Sequence, residues 1–178
     1  MKNYKLFVTT KDKYGPNYEA HLFEQYKLYI ESAEKISDRR QNANNYFIAL
    51  NTALLSVIGL SFQLKSSVQI TWVKYSLAMI GVVICIVFWF LLRSYKQLNT
   101  GKFKVIHEIE QKLPLALYDY EWDILEKGKN QSVYYPFSHV ELLIPKIFGL
   151  IYIVIAIAFL ICNKSVSDYF LEIIHKLV

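Results

Sequence analysis

Three stretches of the chain, Gln41–Leu64, Tyr75–Leu92 and Ile147–Asn163, contain no Asp, Glu, Lys or Arg. A helix crosses the hydrocarbon core of a bilayer in about 20 mostly apolar residues, with a range of roughly 17–25. Backbone polar groups in lipid must be satisfied within the segment, so runs of this kind span as helices. The expected fold class is therefore an all-α membrane protein with three transmembrane helices. A composition that is 54% hydrophobic agrees, and nothing in the length suggests two globular domains.

The cations on either side of these stretches are unevenly divided. Lys2, Lys5, Lys11, Lys13, Lys27, Lys35, Arg39 and Arg40 precede the first, and only Lys65 and Lys74 separate it from the second. Arg93, Lys96, Lys102, Lys104, Lys112, Lys127, Lys129 and Lys146 lie between the second and third, and Lys164 and Lys176 follow. The positive-inside rule then places the N-terminus in the cytoplasm and the C-terminus outside. The polar start Met1-Lys2-Asn3-Tyr4 leads into no apolar run, so the first membrane helix is expected to serve as the insertion signal. Trp72 and Trp89 fall near the two ends of the second stretch, as interfacial aromatics do. Cys85 lies mid-membrane and Cys162 near the outer end of the third stretch, an offset that disfavours a disulfide and reads as two small hydrophobes.

Residues 1–16 read as a flexible N-terminus ending at the turn signal Gly15-Pro16-Asn17. From residue 17 to 64 one helix is expected, cytoplasmic first and then transmembrane. Leu22, Tyr26, Tyr29, Ala33, Ile36, Ala43, Phe47, Leu50, Leu54 and Val57 step along it by threes and fours as a seam, broken at Arg40. Such a helix is about 70 Å long. A second helix over 72–113 carries Gly81, Ile84, Phe88, Leu91, Tyr95, Leu98, Val105, Ile109 and Leu113 in similar spacing, broken at Lys102, until Pro114 stops it. The two should pair as a long antiparallel hairpin extended into the cytoplasm. Residues 114–140 hold a short helix, whose Leu117, Trp122 and Leu125 would cover the base of the hairpin, and a loop. Ser138 to Glu141 reads as a capping box for a third membrane helix over 141–163, with Pro145 early in it. Residues 164–178 form an external amphipathic helix, with Val166, Tyr169, Phe170, Ile173, Ile174 and Leu177 as its apolar stripe.

No pattern for an enzyme, a cofactor or a metal stands out. His107-Glu108 lacks a second His at metalloprotease spacing, and no phosphate loop or nucleophile elbow occurs. Glu108, Glu110, Asp119, Glu121 and Asp123 read as partners of nearby Lys and Arg. The basic residues follow membrane topology, which explains them without nucleic acid. One intramembrane pattern is informative. Asn44, Asn45, Asn51, Thr52, Ser56, Gly59 and Gln63 share one face of the first helix, opposite the seam. Polar groups cannot face acyl chains unpartnered. This face either makes interhelical contacts, where small and polar residues let helices approach, or lines a water-filled path in an oligomer. Three helices cannot satisfy both faces of the first, so a homo-oligomer is expected.

After the second span comes Arg93-Ser94-Tyr95-Lys96-Gln97-Leu98-Asn99, then Lys102-Phe103-Lys104-Val105-Ile106, Glu108-Ile109-Glu110, Leu113-Pro114 and Tyr120-Glu121-Trp122. This string resembles the RipA-type family of small octameric bacterial membrane proteins. It is more distantly similar to the SLATT group of predicted pore-forming effectors, which are usually drawn with two membrane helices rather than three. The resemblance implies a bacterial inner-membrane octamer with a cytoplasmic helical part, and implies no reaction. Arg93, Tyr95, Leu98, Asn99, Lys102, Phe103, Glu110, Leu113, Pro114, Glu121 and Trp122 carry it. Tyr95 and Leu98 also read as seam positions and Trp122 as packing under the hairpin, while Asn99 and Lys102 are less easily explained by packing. The leading functional expectation is a homo-oligomeric membrane protein forming a pore or channel with a cytoplasmic sensing or gating part. The alternative is a non-conducting scaffold or adaptor that binds a protein partner through its cytoplasmic helices.

Overall fold

The computed structural model describes residues 5–63 and 68–162. The expected amphipathic helix over 164–178 lies outside them. Among the described residues all regular structure is helical: α1 Lys11–Tyr14, α2 Tyr18–Ser61, α3 Val68–Glu110, α4 Leu117–Ile124 and α5 Phe137–Cys162, with a 3₁₀ turn at Glu126–Gly128 between the last two. The three long helices are each apolar and long enough to cross a membrane. The chain divides into two compact units. One holds Met1–Asn42 and Ser94–His139, the other Ala43–Arg93 and Val140–Val178. We refer to them as the charged and the apolar unit.

In the charged unit α2 and α3 run antiparallel: Tyr26 meets Glu110, and Ser32 meets Lys102. A residue read as breaking the seam, Lys102, is accommodated by donating to Ser32 Oγ at 2.8 Å and lying 4.6 Å over the Tyr29 ring. Its stem packs on the apolar seam while the ammonium finds a hydroxyl and a π face. Tyr26, Ala33, Ile106 and Ile109 are buried, with Leu22, Tyr29, Ile30, Phe103, Leu113 and Tyr118 against them. Helix α2 starts where Asn17 O accepts from His21 N at 2.9 Å. Helix α3 ends in tightened i→i+3 bonds, Lys112 N to Ile109 O and Leu113 N to Glu110 O, before Pro114.

Two expectations for this unit need correction. Leu98 is 48% exposed, so it is not a seam residue. The seam resumes beyond it, since Ile109 is buried and Val105 and Leu113 pack against the same core. Leu117 and Trp122 do not cover a core either, since they are 61% and 36% exposed; Tyr118 does so instead. Trp122 lies edge-on to Tyr134 and beside Gly128. Gly128 has φ +66, and a Cβ there would come within 3.3 Å of both Trp122 and Pro136. Glycine at this position thus permits both the left-handed turn and the close approach.

In the apolar unit Phe47 stacks on Phe88 at 4.0 Å and meets Phe148 edge-on at 5.8 Å, which ties α2, α3 and α5 together. Tyr152 of α5 is fully buried against α3, where a Cβ on Gly81 would stand 2.6 Å from its ring. Here too the inward faces shift from the sequence expectation. Leu50, Val57 and Leu91 are exposed, while Asn51, Ile58, Cys85 and Leu92 are buried. Asn51 can face inward because its amide donates to Phe47 O at 2.8 Å in its own helix. The capping box at Ser138 is not formed. Ser138 is already helical, His139 N bonds Pro136 O at 2.9 Å, and Glu141 serves another purpose. Pro145 therefore lies in the interior of α5, where it denies the Glu141 carbonyl its i+4 donor.

Candidate functional site

The polar face of α2 divides in two. Asn44 and Asn51 are 8% and 0% exposed. Asn44 Nδ2 donates to Glu141 Oε1 at 2.7 Å, binding α2 to a carboxylate that is itself buried in α5. Asn51 forms a small hub: Tyr152 Oη donates to its carbonyl at 3.3 Å, and the Cys85 thiol lies 3.8 Å from its Oδ1. These two residues hold the protomer together. Thr52, Ser56 and Gly59 face out, in line with exposed Asn45 and Gln63. Their hydroxyls are satisfied within the helix, Thr52 Oγ1 by Ile48 O and Ser56 Oγ by Thr52 O, both at 2.8 Å. The stripe is therefore free to face a neighbouring helix or water. A Cβ on Gly59 would meet nothing within 4 Å, so nothing among the described residues requires glycine there. Next to this stripe runs a second exposed one of larger apolar residues, Tyr46, Leu50, Val57 and Leu60, suited to acyl chains.

Glu110 is the most constrained of the motif positions. At 1% exposure, it accepts from Tyr26 Oη at 2.7 Å, Tyr118 N at 3.0 Å and Asp119 N at 3.0 Å. The last two are free amides of the first turn of α4, whose N-cap position is Ala116 and offers no side-chain acceptor. A carboxylate from α3 thus caps α4 from outside, matching the positive end of its dipole. Glu110 is therefore not the partner of a Lys or Arg that the sequence suggested. Burial, and then the carboxylate beside it, push the Tyr26 hydroxyl well above its ordinary pKa, and burial also raises that of Tyr118.

Other motif positions line a groove of about 650 Å³ in the charged unit. One wall is a single face of α3, with Lys96, Asn99, Thr100, Phe103, Lys104 and His107 at helical spacing. The facing wall comes from α4, through Tyr118, Glu121 and Trp122, and from the return loop into the first turn of α5. Lys96 Nζ lies 3.5 Å from His139 Nε2, and His107 Nδ1 lies 3.4 Å from Asp119. Asn99 Oδ1 and His107 Nε2 are buried without a partner. Asn99, Phe103, Glu121 and Trp122 are thereby brought together, whereas Arg93 lies 5.6 Å over Trp89 in the apolar unit and Pro114 follows the end of α3. Sequence reasoning did not find Lys96, Lys104, His107 and His139 as one set. The α3 spacing was a signal for three of them, but His139 joins only through the path of the loop. Among the described residues no group of three His, Cys, Asp or Glu is placed to hold a metal.

No curated protein and no solved structure matches the chain. The three helices, long and apolar enough to cross a membrane and with most of each apolar stretch unburied within one protomer, describe an integral membrane protein. The model of the octameric membrane protein family (8xMP) matches residues 23–161, a span that takes in both units and every motif position, and the chain belongs to that family.

Proposed function

We propose that the chain assembles as a homo-octamer in a bacterial inner membrane, with its N-terminus and charged unit in the cytoplasm and its C-terminus outside. In this reading the assembly encloses a pore or channel, and the charged unit senses or gates it. One observation carries the proposal. The outward stripe of Thr52, Ser56 and Gly59 is small and polar, is exposed among the described residues, and lies beside an apolar stripe fit for lipid. The family's octameric character and the alternation of cation-rich and cation-poor segments support it. The reading assigns no catalytic residue and no cofactor. Purified protein in planar bilayers should show discrete conductance steps that Ser56→Trp blocks or reduces. Absence of conductance from correctly assembled particles would remove the pore.

A second reading, a non-conducting scaffold, is favoured by one specific feature. Leu117, Tyr120 and Ile124 line one face of α4 and are 61%, 69% and 58% exposed. Such a face suits a cytoplasmic protein partner. Binding of a defined partner that Tyr120→Ser and Ile124→Ser abolish, in a protein without conductance, would establish this reading instead.

A further inference from the structure

Arg40, Lys96, Lys104 and Lys127 line the groove in the charged unit, and Arg40 is already engaged. Lys96 and Lys104 have no carboxylate partner among the described residues, and Lys96 Nζ lies 3.5 Å from the Nε2 of His139. Lys127 is different, since Asp123 holds it at 3.0 Å. Glu121 is the one carboxylate in the groove lining. The first turn of α5, a 26-residue helix, also lines the groove and adds the positive end of a helix dipole. Asn99 Oδ1, an acceptor, and His107 Nε2 have no partner among the described residues, so a ligand that also carries a donor would complete them. The volume of about 650 Å³ lies within the range of small-molecule sites, and Trp122 and Phe137 give it apolar walls.

We propose that this groove is a binding site for a phosphate-bearing anion, held by Lys96, Lys104 and His139 at the N-terminus of α5. Phosphate fits because a tetrahedral, multiply charged group can take ammonium, imidazole and backbone donors together. The phosphate could belong to a soluble ester or to a lipid headgroup. The inference deepens the sensing role given to the charged unit. It is read by binding alone, so its failure leaves the pore standing, and a silent bilayer leaves the site standing.

The test uses the full chain in neutral detergent and in nanodiscs. Inorganic phosphate, adenosine monophosphate and adenosine are titrated by calorimetry, and phosphatidylglycerol nanodiscs are compared with phosphatidylcholine ones. A soluble source predicts that adenosine monophosphate binds at least about tenfold tighter than adenosine, and that Lys96→Gln or Lys104→Gln weakens it roughly tenfold or more. Lys96→Arg should retain most of the affinity. A lipid source predicts selective retention of phosphatidylglycerol, lost in the same two variants. Both lysines are on the surface of α3, and unchanged circular dichroism verifies the fold. If no phosphate probe binds, or if binding ignores both lysine substitutions, the proposal is overturned.

Discussion

Replacing Glu110 with alanine should release α4 while leaving the long helices intact. The carboxylate is buried and accepts three hydrogen bonds, two from first-turn amides of α4 and one from Tyr26. Losing a helix cap costs about 1 kcal/mol, within a range of roughly 0.5–2. Leaving the buried Tyr26 hydroxyl without its acceptor costs a further ~1–3 kcal/mol. The local loss is therefore about 2–4 kcal/mol. At 1.4 kcal/mol per tenfold, protection of the Tyr118 and Asp119 amides should fall by roughly thirty- to several-hundred-fold. Hydrogen exchange by mass spectrometry over residues 115–125 reads this directly, with the segment around Ile106 as an internal reference. Glu110→Gln keeps one acceptor oxygen and should fall between the two. Exchange over residues 115–125 within threefold of the native rate in Glu110→Ala would show that the cap is not what holds α4.

Three other outcomes follow from the same geometry. The fold favours neutral Tyr26, so its folded pKa is raised; the stabilisation is complete below the unfolded value of about 10 and is lost as pH rises through the folded value. Stability should accordingly decline above about pH 10, more steeply than in Tyr26→Phe, as read by chemical unfolding at stepped pH. Gly81→Ala forces a methyl against the buried Tyr152 ring and should cost about 1–3 kcal/mol in detergent melts, whereas Gly59→Ala should cost nothing. Equal effects would contradict the assignment of these glycines to inner and outer faces. Asn44→Ala removes the amide that donates to Glu141 and should destabilise the apolar unit by about 1.5–3 kcal/mol, measured by the same melts.

The spans and the helical class were legible because a run without charge is a one-dimensional signal that tertiary packing cannot overturn. The seam was legible at Tyr26, Ala33, Phe47, Phe88 and Ile109, and failed at Leu50, Val57, Leu91 and Leu98. The inward turn of Asn51 moved the contact face of α2, and it cannot be read from apolar spacing. Glu110 looked like one of several acids awaiting a cation. Its capping role depends on a chain reversal at Pro114 that brings α4 back beneath it, and on a poor native cap at Ala116. The groove was half visible, since the α3 wall repeats every three or four residues. The other wall depends on left-handed backbone at Glu126, Lys127 and Gly128, which only the glycine announces.

The central claim is that the small polar stripe of α2 faces water inside an assembly while its apolar neighbour faces lipid. It is tested most directly by single cysteines in a background where Cys85 and Cys162 are replaced by alanine. A membrane-impermeant, charged methanethiosulfonate should modify Ser56→Cys in assembled protein and leave Val57→Cys, one residue along, unmodified. Reaction at position 57 but not 56, or at neither, would contradict the account.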